Sequence, residues 1–467
     1  MKFRTAVFIV SSAFCAVFAQ PVPSALDSAV MQVSPDTSQD IVLQDLSAMA
    51  AKAAADSVTV NESVASTGTD AESTAGTTSA GTTSAGAVSA ESAPESAAEP
   101  TATAATATES IQDTAAVPNP YDLPDALMPL WNSMSIKQKA AQMVMVYMTP
   151  ASFMIDNEFG GILVMRSHLK DLEKFKDVIS TINDSLAIPP VVAVDQEGGR
   201  VNRISSISPQ WARTPSAKAM RKMEADSIQQ LAQQIGNVLK EAGINMNLAP
   251  VLDPAKDSRG KRSFMEESDR SWGEDTTNAY KVRAFVKGMA QSGIVCVSKH
   301  FPGYDSWTNS DHQIAISTTP KKSIKKNVAF FNALAADIPI TMMSSVRFVR
   351  VSNRPAVFEP KIISLARRMS PETVILTDDL WGVSLRAWIS GTERVTSKNY
   401  PSKDFKKLVQ TALTAGNDMF MITYPQKAVE MVKILTAMSN QNAKYKQRIE
   451  ESCARILKMK YRAGILK

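Results

Sequence analysis

Pro190-Val191-Val192-Ala193-Val194-Asp195-Gln196-Glu197-Gly198-Gly199-Arg200 decides the fold class of this 467-residue chain. Its apolar residues follow one another without alternation, the pattern of a strand buried on both faces, and the run stops on a carboxylate. Short runs of the same kind occupy residues 161–165, 190–195, 244–250, 294–299, 338–345, 373–378 and 418–422. Helical stripes lie between them. Leu169, Leu172, Phe175, Val178, Ile179 and Ile182 form one; Ile228, Leu231, Ile235, Val238 and Leu239 form another, stopped by Gly243; Tyr280, Val282, Phe285, Val286 and Met289 form a third, stopped by Gly293. Seven or more βα units over about 340 residues predict an α/β fold, a TIM-like (β/α)8 barrel. The alternative is an open doubly wound sheet, but no glycine-rich phosphate loop follows any of the strands.

The polar residues follow a rule on that frame. Asp195 ends the second run and Asp253 lies just past the third. Lys299 and His300 end the fourth, Ser344 and Ser345 the fifth, Asp378 and Asp379 the sixth. Any one of these could be a strand-end cap. Five strand ends with the same habit converge on one mouth, where barrel enzymes keep their chemistry. Asn417 and Asp418 break the rule: they precede the seventh run and belong to the opposite face.

The rest of the chain is read outward from the barrel. Overall it is 44% apolar and 21% charged, ordinary for a globular protein, and no stretch reaches the roughly 18–20 apolar residues of a spanning helix. A polytopic membrane protein is excluded. Residues 1–19 read as a secretory signal: Lys2 and Arg4, an apolar run over 6–19, and Val17-Phe18-Ala19 with small residues where a signal peptidase reads. A lipoprotein reading would need Cys15, but Phe14 stands where a small residue is required; retention as an anchor is the other alternative. Residues 20–118 are Ala, Ser, Thr and Glu, with Thr77-Thr78-Ser79-Ala80-Gly81 repeated at once, and read as a disordered acidic linker. The linker holds 13 acids and one lysine, so of the total charge of +5 residues 119–467 carry +15, after +2 on the leader. A basic domain outside the cytoplasm suits an anionic polymer or wall surface, although the charge of the tether could serve solubility alone. Three cysteines exclude a disulfide scaffold, and Cys296 and Cys453 read as buried free thiols. Three histidines leave little for a histidine-rich metal site, and no metal or other cofactor is expected. His168 reads as exposed and structural.

Three motifs carry a resemblance. Asp195-Gln196-Glu197-Gly198-Gly199-Arg200-Val201, Lys299-His300-Phe301-Pro302-Gly303 and Thr377-Asp378-Asp379-Leu380 each follow a strand, in order. Together the chain from about residue 125 to its end resembles glycoside hydrolase family 3, nearest the single-domain bacterial β-N-acetylglucosaminidases that act on peptidoglycan-derived sugars. Thr414-Ala415-Gly416-Asn417-Asp418-Met419 and the helix holding Arg455-Ile456-Leu457 and Lys460-Tyr461 extend it. The resemblance implies that Asp378 is the nucleophile, a strand-end carboxylate that attacks the anomeric carbon and forms a glycosyl-enzyme intermediate. Asp379 is the better candidate for a cap. Asp195, Arg203, Arg270, Lys299 and His300 carry over as sugar-binding positions, with Arg262 a competing match for Arg270; a ligand-free salt-bridge network is the bland alternative.

The resemblance also implies a histidine acid/base on a loop, which falls on His312. Here the chain departs from the family. Its partner aspartate stands one position off, at Asp311, and the usual His-Gly-Asp-Thr after Gly303 is replaced by Tyr304-Asp305-Ser306-Trp307. Either Asp311 reaches His312 by a different loop path, or the dyad is impaired, or Asp305 acts in its place. The sequence ends on the helix over 453–467, and without a second domain the histidine branch, with N-acetylglucosaminides as carbohydrate substrates, is favoured. The expectation is an exported, periplasmic or extracellular retaining exo-β-N-acetylglucosaminidase, with no nucleic-acid partner and a possible wall association. Alternatives are a catalytically weak sugar- or wall-binding relative, a phosphorylase, and a β-glucosidase.

Overall fold

The apolar runs fold into short parallel strands whose carboxyl ends share one face. The computed structural model of the protein describes residues 119–467 except 274, 394, 398 and 399; the leader and the linker lie outside the described residues. The strands are β1 (Val144–Tyr147), β2 (Gly161–Val164), β3 (Val191–Val194), β4 (Met246–Asn247), β5 (Val295–Phe301), β6 (Ile316–Ser317), β7 (Ile340–Met343), β8 (Arg347–Phe348), β9 (Val374–Leu376) and β10 (Phe420–Ile422). Eight of them form one sheet in the order β10-β1-β2-β3-β4-β5-β7-β9, every pair parallel. Leu376 pairs with Met419 in an isolated parallel bridge, so the two ends of that order meet. This closure removes the open-sheet alternative and gives the TIM-like barrel. β6 and β8 pair separately, above the carboxyl ends.

Helices follow the strands and cover the barrel, among them Leu172–Ser185, Ala225–Glu241, Ala279–Gln291, Lys321–Asn332, Pro360–Met369, Ser402–Ala415 and Pro425–Gln441. Gly243 and Gly293 adopt φ of 83° and 75° just beyond two of these helices, the left-handed stop expected of them. Val282, Phe285, Val286 and Met289 are buried, but Tyr280 is 54% exposed. The reason is angular: the four buried residues follow the i, i+3, i+4, i+7 spacing, and position 280 lies on the other side of the helix. Leu169 is buried from a 3-10 turn, Arg166–Lys170, ahead of its helix.

Two strands differ from the sequence reading. β1 was not among the predicted runs, and β4 pairs over only two residues of the predicted seven. Pro250, with no N–H to offer, ends the regular ladder, and pairing resumes as a single bridge between Val251 and Lys299.

The amino end of the barrel is sealed by charge and by the last helix. Asp418 is fully buried and accepts from Arg448 and Arg455 at 3.0 and 3.1 Å, from Arg367, and from the Ser452 hydroxyl at 3.0 Å. Burial alone would raise its carboxyl; the three guanidiniums hold it at about 2. Asn417 and Asp418 thus sit at the face opposite the mouth, as their order in the chain predicts. Nearby, Leu123, Leu127 and Trp131 pack against Cys453, Leu457 and Leu466 of the C-terminal segment. Cys296 and Cys453 are buried free thiols, pushed up to about 12 by burial. Among the described residues no helix is long and apolar enough to cross a membrane.

Lys460, on the last helix, is fully buried and donates to Gln142 Oε1 at 2.8 Å and to the Pro189 carbonyl at 2.9 Å. Both partners are neutral, so burial lowers its ammonium to about 7. Between pH 7 and the ordinary lysine value the unfolded chain binds the proton that the folded one releases, so stability rises with pH across that window. Urea unfolding should show the wild type gaining about 2 kcal/mol more than Lys460→Met between pH 7.5 and 9.5. Identical pH dependence in both would refute the neutral amine.

Candidate active site

The mouth is built from the residues that end β3, β4, β5, β7 and β9. After β3 the chain turns sharply through Gly198 and Gly199, whose φ values are 83° and 57°. A Cβ at Gly198 would stand 2.0 Å from the Pro215 carbonyl oxygen, so only glycine fits there. The turn is clamped by Asn247 of β4, which accepts from the Gln196 N–H and donates to its carbonyl, both at 3.0 Å. Gln196 in turn accepts from the Arg203 N–H at 2.7 Å. Arg203 is thereby fixed at the rim, and its buried Nε has no hydrogen-bond partner among the described residues.

Four charges form the floor. Lys299 Nζ lies 2.6 Å from Asp195 Oδ1 and 2.7 Å from Glu197 Oε1. Arg270 closes a two-pronged pair on the same Glu197, with Nε at 2.7 Å and Nη2 at 2.9 Å. Burial alone would raise the Glu197 carboxyl, but Arg270 and Lys299 outweigh it and hold the group well below the usual carboxylate range. Burial likewise would lower Lys299 and Arg270, and their acidic partners raise both. Glu197, Lys299 and Arg270 are therefore held in their charged forms. Arg262, the competing arginine, is exposed and pairs with Glu267 at 2.7 Å instead.

His300 is buried next to Lys299. Its Nδ1 donates to Asp253 Oδ2 at 2.6 Å, while Asp253 Oδ1 accepts from the His300 and Tyr304 N–H groups at 2.9 and 2.6 Å. This orientation leaves Nε2 as the ring atom available to a ligand.

Asp378 follows β9. Its Oδ2 accepts from Ser345 Oγ at 2.8 Å and its Oδ1 from the Asp379 N–H at 2.9 Å. Asp379 points elsewhere: it accepts from the Trp381 N–H at 2.9 Å and from the Thr423 N–H and hydroxyl at 3.1 and 2.7 Å. It ties the end of β9 to that of β10, the capping duty expected of it. Burial, with a smaller push from Asp378, raises its carboxyl to about 6.

The loop after β5 takes a path the motifs did not foretell. Tyr304 is buried and acts as a post: its hydroxyl donates to the Thr308 carbonyl and accepts from the Ser310 N–H at 2.7 Å. Asp305 is also buried, accepting from Ser317 Oγ at 3.0 Å, and holds the loop to β6. Burial raises its carboxyl, and its Oδ1 has no hydrogen-bond partner among the described residues. Asp311 and His312 follow on the exposed rim, and among the described residues no hydrogen bond or ion pair joins them. The Asp311 carboxyl is raised, first by desolvation and then by Asp378, while Arg270 and His312 pull the other way. His168 lies elsewhere, after β2. It is half-buried rather than exposed, accepts at Nδ1 from the Met165 N–H at 3.0 Å, and is lowered to about 4 by burial.

Of the predicted positions, Asp195, Arg270, Lys299, His300, Arg203 and Asp378 thus line one mouth, with Asp311 and His312 on its rim. Sequence reasoning placed Ser345 at the mouth without giving it a role, and missed Glu197 and the clamp on Gln196. Glu197 had a signal: Lys299 and Arg270 are two buried cations, and Asp195 answers only one.

Residues 135–459 match the model of the glycosyl hydrolase family 3 N terminal domain. A beta-hexosaminidase of Bordetella pertussis is 27% identical over 296 residues, covering 58% of this chain and 75% of that protein. One from Xylella fastidiosa is 25% identical over 288 residues, covering 58% and 78%. Among solved structures, a beta-N-acetylhexosaminidase from Beutenbergia cavernae aligns with a TM-score of 0.59 at 24% identity, over 70% of this chain and 99% of that one. A family 3 beta-N-acetylglucosaminidase from Paenibacillus aligns at 0.60 and 24%, over 71% and 63%.

The buried charges are mutually dependent, which sets an expectation for stability. Glu197→Ala leaves Lys299 and Arg270 short of a partner and should cost about 3–5 kcal/mol in urea unfolding at pH 7. A loss below about 1 kcal/mol, the scale of an exposed ion pair, would mean that water reaches the cluster freely.

Proposed function

The chain belongs to glycoside hydrolase family 3 and is a glycoside hydrolase, and on that premise we propose that it removes terminal β-linked N-acetylglucosamine from peptidoglycan-derived or chitin-like saccharides with retention of configuration. The observation that carries this reading is the mouth itself: the strand-end carboxylate of Asp378, held by one serine hydroxyl and one backbone N–H, on the same face as the salt-bridged cluster of Asp195, Lys299, Glu197 and Arg270. The names of the relatives support the choice of amino sugar.

In this mechanism the sugar in the mouth is held by Asp195, Lys299, His300 and Arg203, whose donors and acceptors match the two-sided hydrogen bonding of pyranose hydroxyls. Asp378 attacks the anomeric carbon as the bond to the leaving oxygen breaks. A proton from His312 goes to that oxygen, leaving a glycosyl ester on Asp378. Water then attacks the ester, His312 takes its proton, and Asp378 is released as a carboxylate. Ser345 and the Asp379 N–H stabilise the negative charge that Asp378 recovers.

A second reading assigns the proton to Asp311 itself. Its raised carboxyl favours it, as does the lack, among the described residues, of a hydrogen bond or ion pair to the His312 ring. The leader-like residues 1–19 and the +15 charge of residues 119–467 support export to the periplasm or outside the cell and action near an anionic wall.

Asp378→Ala should abolish hydrolysis of aryl β-N-acetylglucosaminides, and the wild type should leave aryl β-glucosides untouched; turnover by the variant would overturn the nucleophile. His312→Ala should slow glycosides with poor leaving groups by about 100-fold or more while sparing activated aryl glycosides. If Asp311→Asn produces that split and His312→Ala does not, the proton belongs to Asp311.

A further inference from the structure

The positive charge of residues 119–467 is not spread evenly. Residues 312–358 hold seven lysines and arginines and a single acid, Asp337, and so carry +6 of the +15. Asp337 is already engaged, 2.9 Å from Arg283 of the preceding helix. Four of the cations, Lys321, Lys322, Lys325 and Lys326, open the helix Lys321–Asn332. All four are exposed, as is Arg350, and none of the five has an ion-pair partner among the described residues. The opposite face of the helix is buried through Ile324, Asn327, Phe330 and Phe331, with Phe331 edge-on to Phe301 of β5 at 5.1 Å. The lysine face therefore looks away from the barrel. β6 and β8 join the two halves of the stretch: Ile316 pairs with Arg347, and the Val349 N–H donates to the Ser317 carbonyl at 3.1 Å. Lys321 and Arg350 consequently line one groove, and the lysines and Arg350 belong to one surface.

This arrangement works against its own helix. The start of a helix is the positive end of its dipole, where carboxylates are favoured and ammonium groups repelled. Lys321 and Lys325, and likewise Lys322 and Lys326, stand four residues apart, the spacing at which like charges on a helix repel. The helix carries no acid to offset either effect. Solubility alone is served better by interspersed charges of both signs than by such a concentration. An anionic chain laid across the strip relieves both repulsions at once.

We propose that this flank is a docking surface for a linear glycan with repeated carboxylates, held by Lys321, Lys322, Lys325, Lys326 and Arg350 on the outside of the barrel. The choice of a glycan among polyanions rests on the glycosidase reading above, and the surface adds a contact through which the protein stays with a polymer between cleavages. Single-stranded nucleic acid fits less well, because no Phe, Tyr or Trp of residues 312–358 is exposed to stack on a base. A membrane also fits less well. Besides its lysines the outer face of the helix exposes only Ala329 and Asn332, with nothing large and apolar to insert. Cations on an open surface act through their field, so the affinity falls as salt is added.

The test is binding of the full chain to polygalacturonate, with neutral dextran of matched length as the control polymer. At low salt polygalacturonate should bind about tenfold more tightly than dextran, and the preference should vanish at high salt. The variant Lys321→Gln/Lys322→Gln/Lys325→Gln/Lys326→Gln should lose that tenfold. A second variant, Lys137→Gln/Lys222→Gln/Lys406→Gln/Lys444→Gln, removes the same charge from exposed lysines scattered over the domain and should stay within about threefold of the wild type. Equal losses in the two variants would assign the binding to net charge and overturn the surface. Equal affinities for the two polymers overturn it as well, and so does tighter binding of single-stranded DNA or of phosphatidylglycerol vesicles than of polygalacturonate. Both variants should cleave an aryl β-N-acetylglucosaminide as the wild type does, which establishes that they are folded. Should none of the three cleave it, the glycosidase reading fails instead. Matching thermal midpoints then establish folding, and the same comparison of polymers and variants decides the surface.

Discussion

The active mouth depends on Lys299 being ionised where almost no water reaches it. A buried ammonium survives only if carboxylates surround it, and Asp195 and Glu197 do so from the end of β3, two strands along the barrel. Glu197 in turn needs Arg270 to balance the remaining charge. These four residues come from the loops after β3 and β4 and from β5 itself, so the electrostatic requirement also fixes where those loops stand. Gly198, the Asn247 clamp and Gln196 are the local means by which the β3 loop meets that requirement. The mouth is thereby preorganised before any sugar arrives, and its polar groups need little rearrangement to receive one.

The same chemistry serves opposite purposes at the two ends of the barrel. Asp418, before β10, is locked by three arginines and held at about 2, spending its charge on closing the amino end. Asp378, after β9, accepts from one serine hydroxyl and one backbone N–H and faces the mouth. A carboxylate tied up by three guanidiniums is a poor nucleophile; one held by two neutral donors keeps lone pairs for attack. The polarity of the strands separates the two roles, because residues before and after a parallel strand go to opposite faces.

That polarity is also why so much was legible in the chain. Unalternating apolar runs identified six of the eight barrel strands nearly in place, and the habit of ending them on polar groups assembled the mouth. β1 escaped because only Met143 separates Val144–Tyr147 from the helix Ile136–Gln142, so no glycine, proline or turn cluster marked its start. Glu197 escaped because within its motif it reads as part of a tight turn. Its partner Arg270 is 73 residues away in sequence, and pairing at that range is set by tertiary folding. Tyr280 was misplaced for a simpler reason: an apolar residue beside a stripe was counted into it without checking its angle around the helix.

The loop after β5 was the least legible part, and physics explains it. Where the motif breaks at Tyr304-Asp305-Ser306-Trp307, local patterning no longer constrains the path, and the loop is instead held by two buried anchors. The Tyr304 hydroxyl gathers Thr308 and Ser310, and Asp305 fastens the base to Ser317 of β6. Those anchors turn the following residues outward, so that Asp311 senses Asp378 across the mouth while the His312 ring stays unpaired with it. The same turn places Trp307 in water beside Lys261. One replaced tetrapeptide thus accounts for both the unpaired Asp311 and His312 and the exposed Trp307. A chain that changes its proton-donor loop changes the surroundings of its leaving group in the same step, because the two are built from the same residues.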